Sequence, residues 1–215
     1  MRHCAILRIE LVAIVASVWG PVSKEVECNI SFFLSPRKVK EISFISIIPI
    51  PNIDFVSEMD RSGWGTKKNV SQGFSVYFSH ASYVAQVGEV MMKDGKPVVK
   101  KIYAVSDCGE VINKSGALQQ VMGAIVDGYG HAMFGKLSFK DGASEQNNFH
   151  NYRMIRMKEI PEIEAHFIDN GIDPTGLGEP ALPPTGGAVA NAIFKASGIR
   201  IKNQPFIDEK LFNPA

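Results

Sequence analysis

Between Gln72 and Met92 apolar and polar positions partly alternate, with Val, Phe and Tyr recurring, as in strands with one buried face. Lys93-Asp94-Gly95-Lys96 then supplies a tight turn, because Asp-Gly accepts positive φ at little cost. Residues 97–109, PVVKKIYAVSDCG, return as a second strand, so this region predicts a hairpin. The period changes over residues 113–137, NKSGALQQVMGAIVDGYGHAMFGKL. There Ala117, Val121, Ala124, Ile125 and Gly128 share one face at helical spacing, with Asn113 or Ser115 as cap. That face is built of small residues, which suits close packing on another backbone and contact with a flat ligand equally. A second Asp-Gly turn falls in FKDGAS, and residues 147–157 and 162–169 read as strands punctuated by Pro161. Residues 169–183 read as a Gly/Pro loop, GGAVANAIFKASG as a second helix with Gly198 at its C-cap, and residues 199–206 as an extended tail. The order ββ-α-ββ-α predicts an α+β fold, mixed β-sheets with packed helices.

Residues 1–60 are apolar but less regular. Residues 30–55 are rich in Ile and Phe and read as strand, broken by Pro49 and Pro51. The apolar run at 4–19 is too short for a membrane span and carries Arg8 and Glu10. It reads as a buried helix or strand, with a secretory signal as the alternative.

Composition narrows the classes without choosing among them. The 215 residues are 45% hydrophobic and 21% charged, ordinary values for one large domain or two small ones. A net charge of +1 leaves no basic footprint for nucleic acid, and the Lys93–Lys101 run reads as a solvated hairpin. The cysteines, Cys4, Cys28 and Cys108, form no CxxC, and the histidines form no HExxH, so no protein-ligated metal is expected. No phosphate-binding loop of the GxxxxGK type occurs.

One position stands out. In PTGLGEPALPPTGGAVANAIF, residues 174–194, Glu179 is the single acid, between Gly178 and Pro180. A plain reading makes it a helix cap or a surface ion-pair partner. The chemical reading is a carboxylate aimed into a pocket by a rigid turn. Gly176 and Gly178 would allow close backbone approach to a ligand, and Pro180, Pro183 and Pro184 would stiffen the chain beyond the acid. A carboxylate buried there with few partners has a raised pKa and suits a general base.

The segments SGWG, SHASYVAQVGEV, VSDCGEVINKSGALQQVMGAI, NNFHNYRMIRMKEIPEIEAHFID, GLGEPALPP and AVANAIFKASGIRIKNQPF fall in one order across about residues 60–206. In that order and spacing the chain resembles the C-terminal part of the molybdenum-cofactor-binding large subunit of the xanthine dehydrogenase and aldehyde oxidase family. Within it, the isoquinoline 1-oxidoreductase β-subunit branch looks nearest.

The resemblance implies that Glu179, the acid of a G-x-G-E loop, is the base beside molybdenum. It implies hydroxylation of aldehydes or of ring carbons next to nitrogen, with oxygen from water. It implies cofactor contacts at Gln120, Gly123, Gly176 and Gly178. Ser79 and Ser82 flank a loop that the family usually writes Ser-Phe-Gly-Ser; here His80 and Ala81 stand in the middle. Lys114 and Gly187 stand where the family commonly has proline.

The implied cofactor is molybdopterin with Mo, as the cytosine dinucleotide, held through the pterin's dithiolene sulfurs. Iron–sulfur clusters would sit on a partner chain, the small subunit. The family's earlier half of the cofactor site, with its Gly-Gly-x-Phe-Gly-type loop, has no counterpart here, so the remainder of the large subunit is a further expected partner. The expected organisation is an unassigned segment over 1–60, a molybdopterin-binding C-terminal domain over 61–207 and a tail over 208–215. A soluble location is expected, cytoplasmic ahead of periplasmic. The competing expectation is a non-catalytic remnant or subunit-interaction module that keeps the fold, with the apolar stretch at 41–55 as its contact surface.

Overall fold

A computed structural model describes residues 61–208, together with two short segments near the N-terminus. These are β1 (Val15–Ala16) and β2 (Ile30–Ser31), paired antiparallel. The remaining expectations for residues 1–60, the 41–55 stretch included, lie outside the described residues.

Three long strands come next: β3 (Ser71–Ser79), β4 (Ser82–Lys93) and β5 (Lys96–Asp107). They pair antiparallel in sequence order, and β8 (Glu162–Phe167) adds to β5 in parallel. The region read as one hairpin is therefore two. Its first turn is His80–Ala81, at φ 52° and 59°. Neither residue is the Gly or Asn that usually marks such a turn, so the strand pattern continues through it. The second turn, Asp94–Gly95, falls as expected, at φ 51° and 72°.

Two helices cover one face of the sheet. Helix α1 (Lys114–Phe134) lies between β5 and β8 in sequence, so the parallel pair is joined across it. Asn113 caps it, its side-chain oxygen accepting from Gly116 N at 2.9 Å. Helix α2 (Leu182–Ser197) ends at Gly198, in the left-handed region at φ 74°. It starts earlier than expected. Pro183 and Pro184 occupy its first turn, where proline forfeits no helical hydrogen bond. Gly187 is consequently inside the helix, not at its opening.

Side chains alternate cleanly. Val84, Val90, Ile102 and Ala104 pack under the helices with Val121, Ile125, Val189 and Ile193. Ala85, Val87, Tyr103 and Val105 face the other side, against Phe74 and Trp64. Lys100 is the extra residue that shifts the parity by one, since Glu89 pairs with Lys101 but Val90 with Val99. Without that bulge Val99 and Lys101 would share a face. Instead Lys101 turns out to Glu162 and Glu164 of β8, both at 2.7 Å, while Val99 stays in the core. The small-residue face of α1 serves helix packing: a Cβ on Gly128 would stand 2.4 Å from the Leu182 carbonyl.

Residues 147–157, expected as a strand, form none. Asn151 Oδ1 accepts the backbone N–H of Asn147 and Asn148, so side chains take the bonds a partner strand would use. A 3-10 turn lies at Met157–Glu159, closed by an Arg153–Glu159 pair at 2.6 Å. The FKDGAS turn is present, between β6 (Phe139–Lys140) and β7 (Ala143–Ser144). The tail at 199–206 is irregular but docked, with Ile201 and Phe206 buried. The fold is α+β, a mixed sheet with packed helices, as expected.

Candidate functional site

The Glu179 loop is fastened along its length at one end of the sheet. Ile168 N donates to Ser106 O at 3.0 Å as β8 ends. Asn170 then donates through its side chain to the Asp107 carboxylate. Asp107 is buried, and burial pushes its carboxyl above the usual range, partly offset by the Gly109 N–H it accepts. Its neighbour Cys108 is a buried free thiol, likewise raised by burial and by the adjacent Asp107 charge. Glu110 N bonds Ile172 O, Thr175 N bonds Cys108 O and Gly176 N bonds His80 O, each at 2.9 Å. The loop thus lies across the β5–α1 connection and the His80–Ala81 hairpin tip.

Ser79, Ser82 and Gly176, expected by resemblance to lie near the cofactor, take part in this stitching. Ser82 is fully buried, and its hydroxyl is used by Thr175 Oγ1 at 2.7 Å and by the Gly176 carbonyl. It holds the loop to the hairpin. A Cβ on Gly176 would stand 2.2 Å from His80 Cβ, so this glycine admits the hairpin tip. Ser79 starts the same tip, paired with Ser82.

The other residues gather on the open side. Gly178 takes φ 100° and ψ −84°, a conformation reserved for glycine, and begins the 3-10 turn Glu179–Ala181. A Cβ there would stand 2.8 Å from Gln120 Oε1, so the turn rests against that amide. Gln120 is exposed, and its side chain has no hydrogen-bond partner among the described residues. One helical turn further along α1, Gly123 is exposed, with nothing within 4 Å of where its Cβ would be. Glu179 is exposed, while Pro180 and Ala181 on its far side are buried. The backbone that carries the carboxylate is therefore set by its turn, and the side chain is exposed within this chain. The result is a shallow ledge: a free amide, a bare helix face and a carboxylate on a rigid turn.

Two buried residues that sequence reasoning did not single out secure the far end. Gln86 of β4 donates through Nε2 to the Ala181 carbonyl at 2.6 Å, and Thr185 of α2 reaches the same group. The available signal was a lone Gln in the apolar run of β4. Among the described residues no cluster of His, Cys, Asp and Glu is placed to hold a metal ion. No helix among them is long and apolar enough to cross a membrane.

The family model for the molybdopterin cofactor-binding domain matches residues 1–161. The chain belongs to this family. Among its relatives, a membrane-bound aldehyde dehydrogenase of Gluconacetobacter polyoxogenes, named for pyrroloquinoline quinone, is 33% identical over 122 residues. That alignment takes in 57% of this chain and 16% of the relative. The molybdenum-binding subunit of an aldehyde oxidoreductase of Escherichia coli K12 is 31% identical over 142 residues, 62% of this chain and 19% of the relative. The solved structure of the aldehyde oxidoreductase of Desulfovibrio gigas superposes with a TM-score of 0.54 at 24% identity, over 61% of this chain and 15% of that one. This last likeness supports the fold. The chain spans less than a fifth of the length of the curated relatives it matches.

Proposed function

We propose that this molybdopterin-domain chain supplies the base-bearing wall of a molybdenum hydroxylase site, acting on aldehydes or on ring carbons next to nitrogen. The observation that carries the reading is Glu179, presented on a glycine-led turn beside the open amide of Gln120. The ledge fits a flat, polar ring system. Gln120 offers two donors and an acceptor to a pterin edge, and the absence of a side chain at Gly123 leaves room for a planar group. When bound, the molybdenum–pterin group, read as the cytosine dinucleotide, supplies the two-electron oxidant. Glu179 takes up a proton at its carboxylate as oxygen from water is delivered to the substrate carbon. Gly178 lets the carboxylate and the Gln120 amide serve one small region, and the buried Pro180 keeps the turn from swinging away.

The ledge is open on its outer side, so the site is completed by further protein, the remainder of the large subunit. An iron–sulfur subunit then takes the electrons. Ser79, Ser82 and Gly176 support the loop from behind. Closure by that further protein would also remove water from Glu179, which strengthens a carboxylate as a base.

The test is the metal and pterin content of the chain purified with whatever accompanies it, and then Glu179→Gln. A general base of this kind contributes roughly 10²–10⁴-fold, so turnover should fall by that much with molybdenum retained. Molybdenum lost from the Gln variant would make Glu179 structural. A quinone in place of the pterin would overturn the cofactor reading.

A second reading is a non-catalytic subunit-interaction module. It is favoured by exposed Phe139, Phe149 and Met157, with Met157 at 85% exposure. Stable association without cofactor uptake would select it.

A further inference from the structure

β4 carries a side chain at odds with its surroundings. Positions 84, 86, 88 and 90 face the helices, and Val84 and Val90 are core residues. Gln86 between them is fully buried. Its backbone is already paired on both sides, with Ser75 and Ala104. An apolar side chain of the same length would bury there without needing partners, so the amide needs another explanation.

Its bonds form a closed triangle. Gln86 Nε2 donates to the Ala181 carbonyl at 2.6 Å. Thr185 Oγ1 lies 2.9 Å from Gln86 Oε1 and 3.0 Å from the same carbonyl, so its one proton is shared between two acceptors. Thr185, too, is fully buried. Ala181 closes the 3-10 turn that Glu179 opens, and its N–H bonds back to Gly178 at 3.0 Å. The backbone carbonyl two residues beyond the carboxylate is thus tied to the middle of the sheet. Upstream, the Ser82–Thr175 contact ties the same loop to the hairpin. Glu179 hangs between two fixed points, and at the downstream one both tying side chains, Gln86 and Thr185, are fully buried.

We infer that Gln86 and Thr185 are positioning residues that hold Glu179 in place through the Ala181 carbonyl. The inference rests on the reading of Glu179 as the base, and it adds the residues that aim it. Without the triangle the turn keeps its glycine and proline but loses its reference to the sheet, so the carboxylate samples several directions instead of one.

The experiment is hydrogen exchange by mass spectrometry on the full chain, for Gln86→Met, Thr185→Val, Thr185→Ser and the Gln86→Met/Thr185→Val pair. Exchange over residues 176–182 should rise about ten-fold in the first two, with the middles of β4 and α2 keeping native rates. The pair should exceed the larger single effect only slightly, because one triangle is broken either way. Thr185→Ser keeps the hydroxyl and should protect the loop as the native chain does. Unchanged loop exchange would overturn the inference, as would equal loosening of β4 and α2 or a serine variant behaving like valine. In the assembled molybdenum-containing complex, Thr185→Val should lower kcat about ten-fold at unchanged KM and metal content. If exchange behaves as expected but Glu179→Gln keeps full turnover, the clamp stands and the base reading falls.

Discussion

Gly178→Ala separates two costs that the structure places on one atom. At φ 100° and ψ −84° an L-residue is strained whatever its neighbours, at about 1–3 kcal/mol. The new methyl would also stand 2.8 Å from Gln120 Oε1, well inside the 3.4 Å at which ordinary contact begins. That oxygen is the end of a flexible, exposed side chain, so it can move aside cheaply, and backbone strain should dominate at about 2 kcal/mol. Gly123→Ala is the internal control on the same helix face. It sits in mid-helix with nothing within 4 Å of the new Cβ, and should gain about 0.5–1 kcal/mol. The two variants should differ by about 3 kcal/mol, or roughly 6–12 °C in Tm for a chain of this size. Thermal unfolding of native chain, both variants and Gly178→Ala/Gln120→Ala measures this. Adding Gln120→Ala should recover only a few tenths of a kcal/mol. Recovery of most of the loss would mean that contact, not strain, was decisive. A Gly178→Ala chain as stable as native would refute the assigned turn conformation.

Other perturbations probe the rest of the molecule. Gly73→Ala places a Cβ 2.1 Å from Ala192 N and 2.3 Å from Ala188 O, both backbone atoms, so α2 must lift from the sheet. The expected loss is about 3 kcal/mol or more, seen as insoluble expression or a collapsed denaturation midpoint. Gln120→Ala should leave Tm within about 1 °C, since the side chain is exposed, but lower pterin retained by the assembled complex. Lys101, and after it His166, holds the Glu164 carboxylate at about 2, below its ordinary 4.5. A depressed carboxylate stabilises the fold above pH 4.5, and that contribution fades as pH falls toward 2. With the side chain 38% exposed, solvent screening limits it to about 1 kcal/mol. Urea midpoints at about pH 5 and about pH 3 should therefore converge between native and Glu164→Gln at the lower pH. A gap of the same size at both would show that the pair is not what matters.

Much of the fold was legible because its signals are local. The Asp94–Gly95 and Asp141–Gly142 turns, the Asn113 cap and the Gly198 stop each arise from what one or two residues permit their own backbone. The apolar periods of α1 and of β3 to β5 needed no partner to be read. The misreadings share a cause. His80–Ala81 turns without turn residues because the Glu179 loop bonds across it, through Gly176 N to His80 O. Residues 147–157 have strand-like composition but, among the described residues, no strand pairs with them.

By itself, then, the sequence determined the element types, the family resemblance and the choice of Glu179 as the residue to watch. Those depend on local backbone preference and on ordered motifs, both carried by the chain in one dimension. Only the tertiary structure decided which glycines face other chain segments and which face open space. Gly73, Gly128 and Gly176 meet backbone or side chain within 2.5 Å, while Gly123 meets nothing. It also decided that Ser82 fastens a loop, that Glu179 stands exposed, and that Gln86, distant in sequence, reaches the Glu179 turn. Such roles come from long-range approach of atoms, set by how α2 and the loop lie on the sheet, and no local pattern encodes them.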